Sequence, residues 1–445
     1  MNNVLIQGAT VVNEGIAQKL DVRIQGDKIV SVGTDLRPQE GEQRINAYGL
    51  HLLPGLIDDQ VHFREPGLTH KACIRTESRA AVAGGITSFI EMPNTAPQTT
   101  TIEKLEEKFA IAAKDSLANY SFMFGGTNDN FEEIQRLDPK QVAGLKLFLG
   151  SSTGNMLVDE PEVLRKIFSS TDLVISVHCE DEPTVKKNLA DHIEIYGEDI
   201  PIEKHPVIRS HQACYTSSSS AIALAKETGA RLHVFHLSTA QETALFDNSI
   251  PLKDKKITAE VCVHHLWFSS EDYKEKGTLI KWNPAVKNKE DQAALWQALN
   301  DDRIDVLATD HAPHTWEEKA QVYTKAPSGG PLVQHALLAL LTAAKQGKIT
   351  LEKLVEKACH NPAILFDVSK RGYIREGYFA DLVLVDLNAS TVVDKPSLLY
   401  QCGWSPFEGT RFDAEVVRTF VNGHTVYHQG EIIEAQAGQR LTFDR

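Results

Sequence analysis

Eight short apolar runs, spaced along the middle of the chain with helix-like sequence between several of them, constrain the fold more than any other feature. They lie at 56–58, 86–92, 120–124, 144–149, 173–178, 232–237, 257–263 and 305–310. One intervening helix is expected after a capping box at Thr100 and Glu103. Another is expected from about Ser78 to a stop at Gly84-Gly85. Repeated strand–helix units imply parallel strands, and eight of them imply a closed (β/α)8 TIM barrel in preference to a doubly wound open sheet.

The two ends read differently. Val4-Leu5-Ile6, Asp21-Val22-Arg23-Ile24 and 28–32 are short strands punctuated by Gly8, Gly26 and Gly33. Near the other end, 380–386 and 416–427 are strand-like, the second turning at Asn422-Gly423. These flanks can pair into one small β-sandwich domain. The expected division is 1–53 with 372–445 as the small β domain, and 54–371 as the barrel. Thr216 to Ser220 is a small hydroxyl run, read as a helix start.

Hydrophobic residues make up 42% of the 445 residues, enough for a large core. No apolar run reaches the length of a membrane span, and the start lacks the pattern of a signal peptide. Six scattered cysteines with no CxxC pair fit reduced thiols, so a cytoplasmic location is expected. A formal charge of −14 disfavours non-specific nucleic-acid binding.

In a barrel, functional residues sit where strands end. Strand one runs into Asp58-Asp59-Gln60-Val61-His62-Phe63-Arg64 and strand two into Glu91-Met92-Pro93-Asn94. Strand four carries Lys146, and strands five, six and eight end at His178, His236 and Asp310. Singly, each has a bland reading: a core histidine, a strand lysine reaching water, an aspartate in a turn. Together they place costly polar groups at one rim, where burial without partners costs roughly 2–7 kcal/mol for a neutral group. A metal pair supplies such partners, and imidazole with carboxylate suits zinc. An ammonium has no lone pair, so Lys146 is expected as a ligand only if its neutral amine adds carbon dioxide to become a carbamate. Metal activates water at neutral pH, and Asp310 is placed to move the proton.

These segments resemble class I dihydroorotases of the amidohydrolase superfamily. The resemblance rests on 54–67, with His62-Phe63-Arg64-Glu65-Pro66-Gly67, and on Glu91-Met92-Pro93-Asn94-Thr95, 144–148 and Val177-His178-Cys179-Glu180. It continues through 233–238, 260–265, Lys281-Trp282-Asn283-Pro284, Thr309-Asp310-His311-Ala312-Pro313-His314 and 377–386. It covers nearly the whole chain. It implies that His62 and Asp310 hold one zinc ion, His178 and His236 another, and carboxylated Lys146 both. Asp310 would be the general acid/base. Arg64, Asn94 and His314 would hold a substrate carboxylate, with Asn283 and the backbone near Ser328 and Gly329 on the ring. The implied reaction is the reversible cyclisation of N-carbamoyl-L-aspartate to L-dihydroorotate. A planar guanidinium at Arg64 suits a carboxylate. His264, His265 and Glu260 are read as supporting or packing groups; His70, His205 and His211 are placed in loops.

Two departures stand out. The family carries HxH at strand one, whereas this chain has Gln60-Val61-His62. A neutral glutamine oxygen is a weaker ligand, so the ion shared by His62 and Asp310 is expected to bind less firmly, its occupancy rising in Gln60→His. The run 326–332 also departs, a bulkier Phe being expected at 328. Three alternatives remain open. One is an allantoinase- or hydantoinase-type enzyme. Another is a silent dihydroorotase-like partner, for instance of aspartate transcarbamoylase. The third concerns assembly, homodimers being common among such barrels.

Overall fold

The computed structural model describes residues 3–150, 156–158 and 160–445. Its centre is built on β1 (Leu56–Val61), β2 (Ile86–Glu91), β3 (Asn119–Gly125), β4 (Gly144–Phe148), β5 (Ile175–His178), β6 (Leu232–Val234), β7 (Ile257–Cys262) and β8 (Val306–Ala308). Each strand pairs parallel to the next in chain order. The ring is nearly closed: Val61 bridges in parallel to His311, and the His62 N–H donates to the His311 carbonyl at 2.7 Å. The strands are buried on both faces, which is why they read as continuous apolar runs and not as an alternating pattern.

The helices correct three local expectations. Ile102–Asp115 is capped by Thr101, whose side chain accepts from the Lys104 N–H, so the capping residue is Thr101 and not Thr100. Thr101 is the last extended residue, and only from there does its oxygen reach the first turn. The first barrel helix is Ile74–Ala83, beginning four residues ahead of Ser78 and stopping at Gly84 as expected. The hydroxyl run at Thr216–Ser220 lies inside helix His211–Thr228, which starts after Ser210. Ser219 and Ser220 donate back to the carbonyls of Tyr215 and Thr216, so the hydroxyls are satisfied mid-helix.

Strands from both ends of the chain form one nine-stranded mixed sheet. Its path runs Glu431–Ile432, His424–His428, Glu415–Val421, Leu382–Asp386, His51–Pro54, Asn3–Asn13, Ile16–Gln25 and Lys28–Gly33. Gln43–Asn46 pairs beside Asn3–Asn13. Its core, including Ile6, Val22, Ile24, Leu52, Leu382, Leu384 and Phe420, is separate from that of the barrel. Asp381 ties the two together: its carboxylate accepts from Asn119 on β3 at 3.1 Å and pairs with Arg371. Among the described residues no helix is long and apolar enough to cross a membrane, and all six cysteines are free thiols.

Candidate active site

At the C-terminal ends of the barrel strands lies a cavity of about 280 Å³. His62, Lys146, His178, His236, Asp310, Arg64, Asn94, Asn283, His314, Ser328 and Gly329 all line it, with Gln60, Phe148 and Trp282. A larger groove of about 680 Å³ lies outside the barrel, against helices Pro161–Phe168, Glu182–Tyr196 and His211–Thr228. Its described lining holds no imidazole and none of these residues, so chemistry is assigned to the smaller cavity.

The imidazoles form two pairs. On one side His62 Nε2 lies 3.1 Å from Asp310 Oδ1, while His62 Nδ1 lies 2.8 Å from Asn94 Oδ1. The Asn94 oxygen can only accept, so neutral His62 carries its proton on Nδ1 and turns the Nε2 lone pair toward a carboxylate. On the other side His178 Nδ1 lies 3.0 Å from His236 Nε2, and His178 Nε2 lies 3.0 Å from Glu180 Oε2. Donation to Glu180 leaves the His178 Nδ1 lone pair facing His236. Against burial, which raises it, Arg209 and then His178 hold the Glu180 carboxyl down at about 2. Burial pushes His62 and His236 well below the usual imidazole range, so both are neutral and have lone pairs to offer.

Lys146 is buried, and its Nζ has no hydrogen-bond partner. It sits 4.2 Å from the Phe235 ring centroid and 4.9 Å from that of Phe148. Burial lowers its amine to about 7, with Glu260 first among the groups opposing that shift. Burial likewise pushes the Asp310 carboxyl up to about 7, Lys146 being first among the charges pulling it back. An orphaned buried lysine lining the same cavity as the His62–Asp310 and His178–His236 pairs fits a bound metal centre: imidazole and carboxylate are a zinc donor set. Backbone strain concentrates here as well. Arg64, His236 and Asp310 have φ of 70°, 41° and 49°, a region that costs non-glycine residues roughly 1–3 kcal/mol each.

The opposite wall is cationic and polar. Arg64 donates through Nε to the Pro313 carbonyl at 3.0 Å and sets a terminal nitrogen 3.1 Å from His314 Nε2. Lys71 places its ammonium 3.1 Å from His314 Nδ1. Ser328 donates to Asn283 Oδ1 at 2.9 Å. Gly329 has φ of 125°, and a Cβ there would meet the Ala312 carbonyl oxygen at 2.4 Å, so this approach requires glycine.

Several participants were not legible in the sequence. Glu180 stands two residues beyond His178, but its partner Arg209 is distant in the chain, and Lys71 is as distant from His314. His205 is buried at the start of a short helix and bonds Tyr323 and the Trp282 carbonyl, and His211 begins a helix, so neither lies in a loop. Among the described residues, one group of three metal-capable side chains has all its ligand atoms within 4.8 Å of one another: Asp59, His233 and Glu260, all buried. This cluster suggests a metal site, yet none of its members was singled out as a ligand. Against burial, Asp59 and then Glu260 hold the His233 imidazole up at about 9.

Residues 51–426 match the family model described as "Amidohydrolase family". The chain is 35% identical over 430 residues to a dihydroorotase of Halobacterium salinarum, covering 95% of this chain and 96% of that protein. It is 29% identical over 444 residues to an allantoinase of Desulfitobacterium hafniense, covering 98% of each. Among solved structures, the L-hydantoinase (dihydropyrimidinase) of Arthrobacter aurescens superposes with a TM-score of 0.94 at 28% identity, covering 99% of this chain and 100% of that one.

Proposed function

The chain belongs to the amidohydrolase family, and on that premise we propose that it is a dihydroorotase, interconverting L-dihydroorotate and N-carbamoyl-L-aspartate. The carrying observation is that Arg64 and His314 line one small cavity together with the His62–Asp310 and His178–His236 pairs. A ring carboxylate fits that guanidinium, and Asn94 and Asn283 offer amide groups on either side. Allantoin and simple hydantoins carry no ring carboxylate to pair with the guanidinium. The related allantoinase and the hydantoinase fold are the reasons to weigh those substrates.

His62 with Asp310, and His178 with His236, would hold zinc, and Lys146 as a carbamate would join the two positions. Zinc so held polarises the amide carbonyl and lowers the pKa of water. The chain's own groups do the rest. Asp310, with its carboxyl near 7, takes a proton from the attacking water and returns it to the ring nitrogen as the C–N bond breaks. In the synthetic direction the same carboxylate takes the proton from the carbamoyl nitrogen. Glu180 and Arg209 keep His178 oriented, as carboxylates behind ligand histidines do.

The test is a parallel assay of dihydroorotate, allantoin and hydantoin on zinc-loaded protein, with metal content measured on the same preparation. Turnover of dihydroorotate well above the others is expected. Preference for allantoin or hydantoin would transfer the chain to those relatives' chemistry. No turnover of any substrate at full metal loading would make it a silent partner protein.

A further inference from the structure

Inside the barrel, apart from the residues that line the cavity, Asp59 on β1, His233 on β6 and Glu260 on β7 converge with none of the three exposed to solvent. We propose that these three side chains bind a divalent transition-metal ion of their own, of the zinc class, distinct from the ions proposed for the His62–Asp310 and His178–His236 pairs of the cavity.

The argument starts from the His233 tautomer. Its Nδ1 lies 2.8 Å from Thr258 Oγ1, and that hydroxyl donates its proton to the Leu232 carbonyl at 3.2 Å. Thr258 therefore accepts from the His233 Nδ1–H, so the proton that an incoming metal displaces is the one on Nε2, whose lone pair then points inward. There it meets not donors but two acidic oxygens, Asp59 Oδ2 at 3.3 Å and Glu260 Oε2 at 3.8 Å. Nε2 makes no hydrogen bond, and neither do both oxygens of Asp59 nor Oε2 of Glu260. A lone pair and carboxylates facing one another out of water call for a cation between them. This is the pattern of the cavity pairs, where His62 faces Asp310.

The spacing suits a metal better than a proton. Ligands about 2.1 Å from a tetrahedral ion lie about 3.4 Å from one another, between the two distances observed. A shared proton would instead draw one pair into a hydrogen bond near 2.8 Å, and none has formed. Two carboxylates neutralise a dication, and with both Asp59 oxygens free the three residues offer four donor atoms. The free oxygen of Glu260 links this ion to the cavity: Oε1 accepts from the His236 N–H at 3.1 Å and from the Cys262 thiol at 3.2 Å. Fixing Oε2 on an ion fixes Oε1, which supports the left-handed backbone at His236. The ion is thus a positioning element and touches no substrate.

The experiment is an anomalous difference map at the zinc absorption edge from crystals of the full chain saturated with zinc at pH 8. A peak between Asp59, His233 and Glu260 is expected, separate from any peak at the cavity histidines. Asp59→Val is expected to lose that peak, and one zinc per chain by elemental analysis, while cavity peaks remain. Zinc-saturated crystals of the unmodified chain with no peak at the cluster overturn the proposal, leaving His233 as a protonated imidazolium; so does an Asp59→Val variant that keeps the peak. If Asp59→Val does not fold, the map of the unmodified chain decides alone. Substrate assays have no bearing on this result, so the two readings fail separately.

Discussion

At the scale of one residue, Gln60 stands where the resembled family is expected to carry a histidine. It lines the cavity, and its Oε1 lies 3.7 Å from the Cys262 sulfur, whose proton has the nearer Glu260 oxygen to go to. Its neighbour Asp59 also turns into the barrel, to His233, where the pairing register shifts between Asp58 and Val61. The residue that most sharply tests the substrate is Arg64. Its guanidinium is buried, and burial lowers it to about 10, so it is still charged at neutral pH. Arg64→Met is expected to raise KM for dihydroorotate by about 10- to 100-fold with a smaller change in kcat, from losing a charge-assisted bond of about 1.5–3 kcal/mol. Steady-state kinetics check this, and an unchanged KM would remove Arg64 from the carboxylate site.

The decisive element is the segment following β8. Lys281 donates to the carbonyls of Tyr323 at 2.6 Å and Ala326 at 2.5 Å, and Lys319 to that of Pro327 at 2.8 Å. The Gly329 N–H returns to the Lys281 carbonyl at 2.8 Å, and the Ala312 N–H to that of Gly330 at 3.0 Å. Two buried lysines thus pin this stretch against the cavity through main-chain carbonyls. Held this way, Ser328 and Gly329 reach the cavity. Gly329→Ala forces a Cβ onto the Ala312 carbonyl and a φ that alanine resists. The expected result is a displaced loop, a KM raised about tenfold or more, and a stability loss of about 1–3 kcal/mol. Kinetics with thermal melts read both, and unaltered values would show that the loop does not position substrate.

The whole molecule carries an unusual load of neutral buried histidines. Burial alone lowers His335 to about 3, and burial foremost lowers His265 to about 3 and His205 well below its usual value. Their unfolded value is 6.5, so the folded state resists protonation that the unfolded chain accepts. Stability is therefore complete above pH 6.5 and falls as pH drops from 6.5 toward 3, by about 1.4 kcal/mol per pH unit for each such group. Denaturant unfolding from pH 7 to 4 measures the slope. His335→Gln, which can still accept from the Tyr400 hydroxyl, is expected to flatten it by about one histidine's share; an unchanged slope would show that His335 does not titrate in this way.

Local pattern was enough to read eight parallel strands, a second sheet from the chain ends, and the residues expected at the strand ends. Strand burial and strand termini are written in consecutive residues, so periodicity and the position of each polar residue carry them. Helix starts were less legible, because Thr100 and Thr101 differ only in which one is last to stay extended. What the tertiary structure alone decided is pairing across distance. His62 meets Asp310, His178 finds Glu180 and Arg209, and Asp59 meets His233 and Glu260 only when the barrel closes. Tautomers, lone-pair directions and shifted pKa values follow from those meetings, and no linear spacing encodes them.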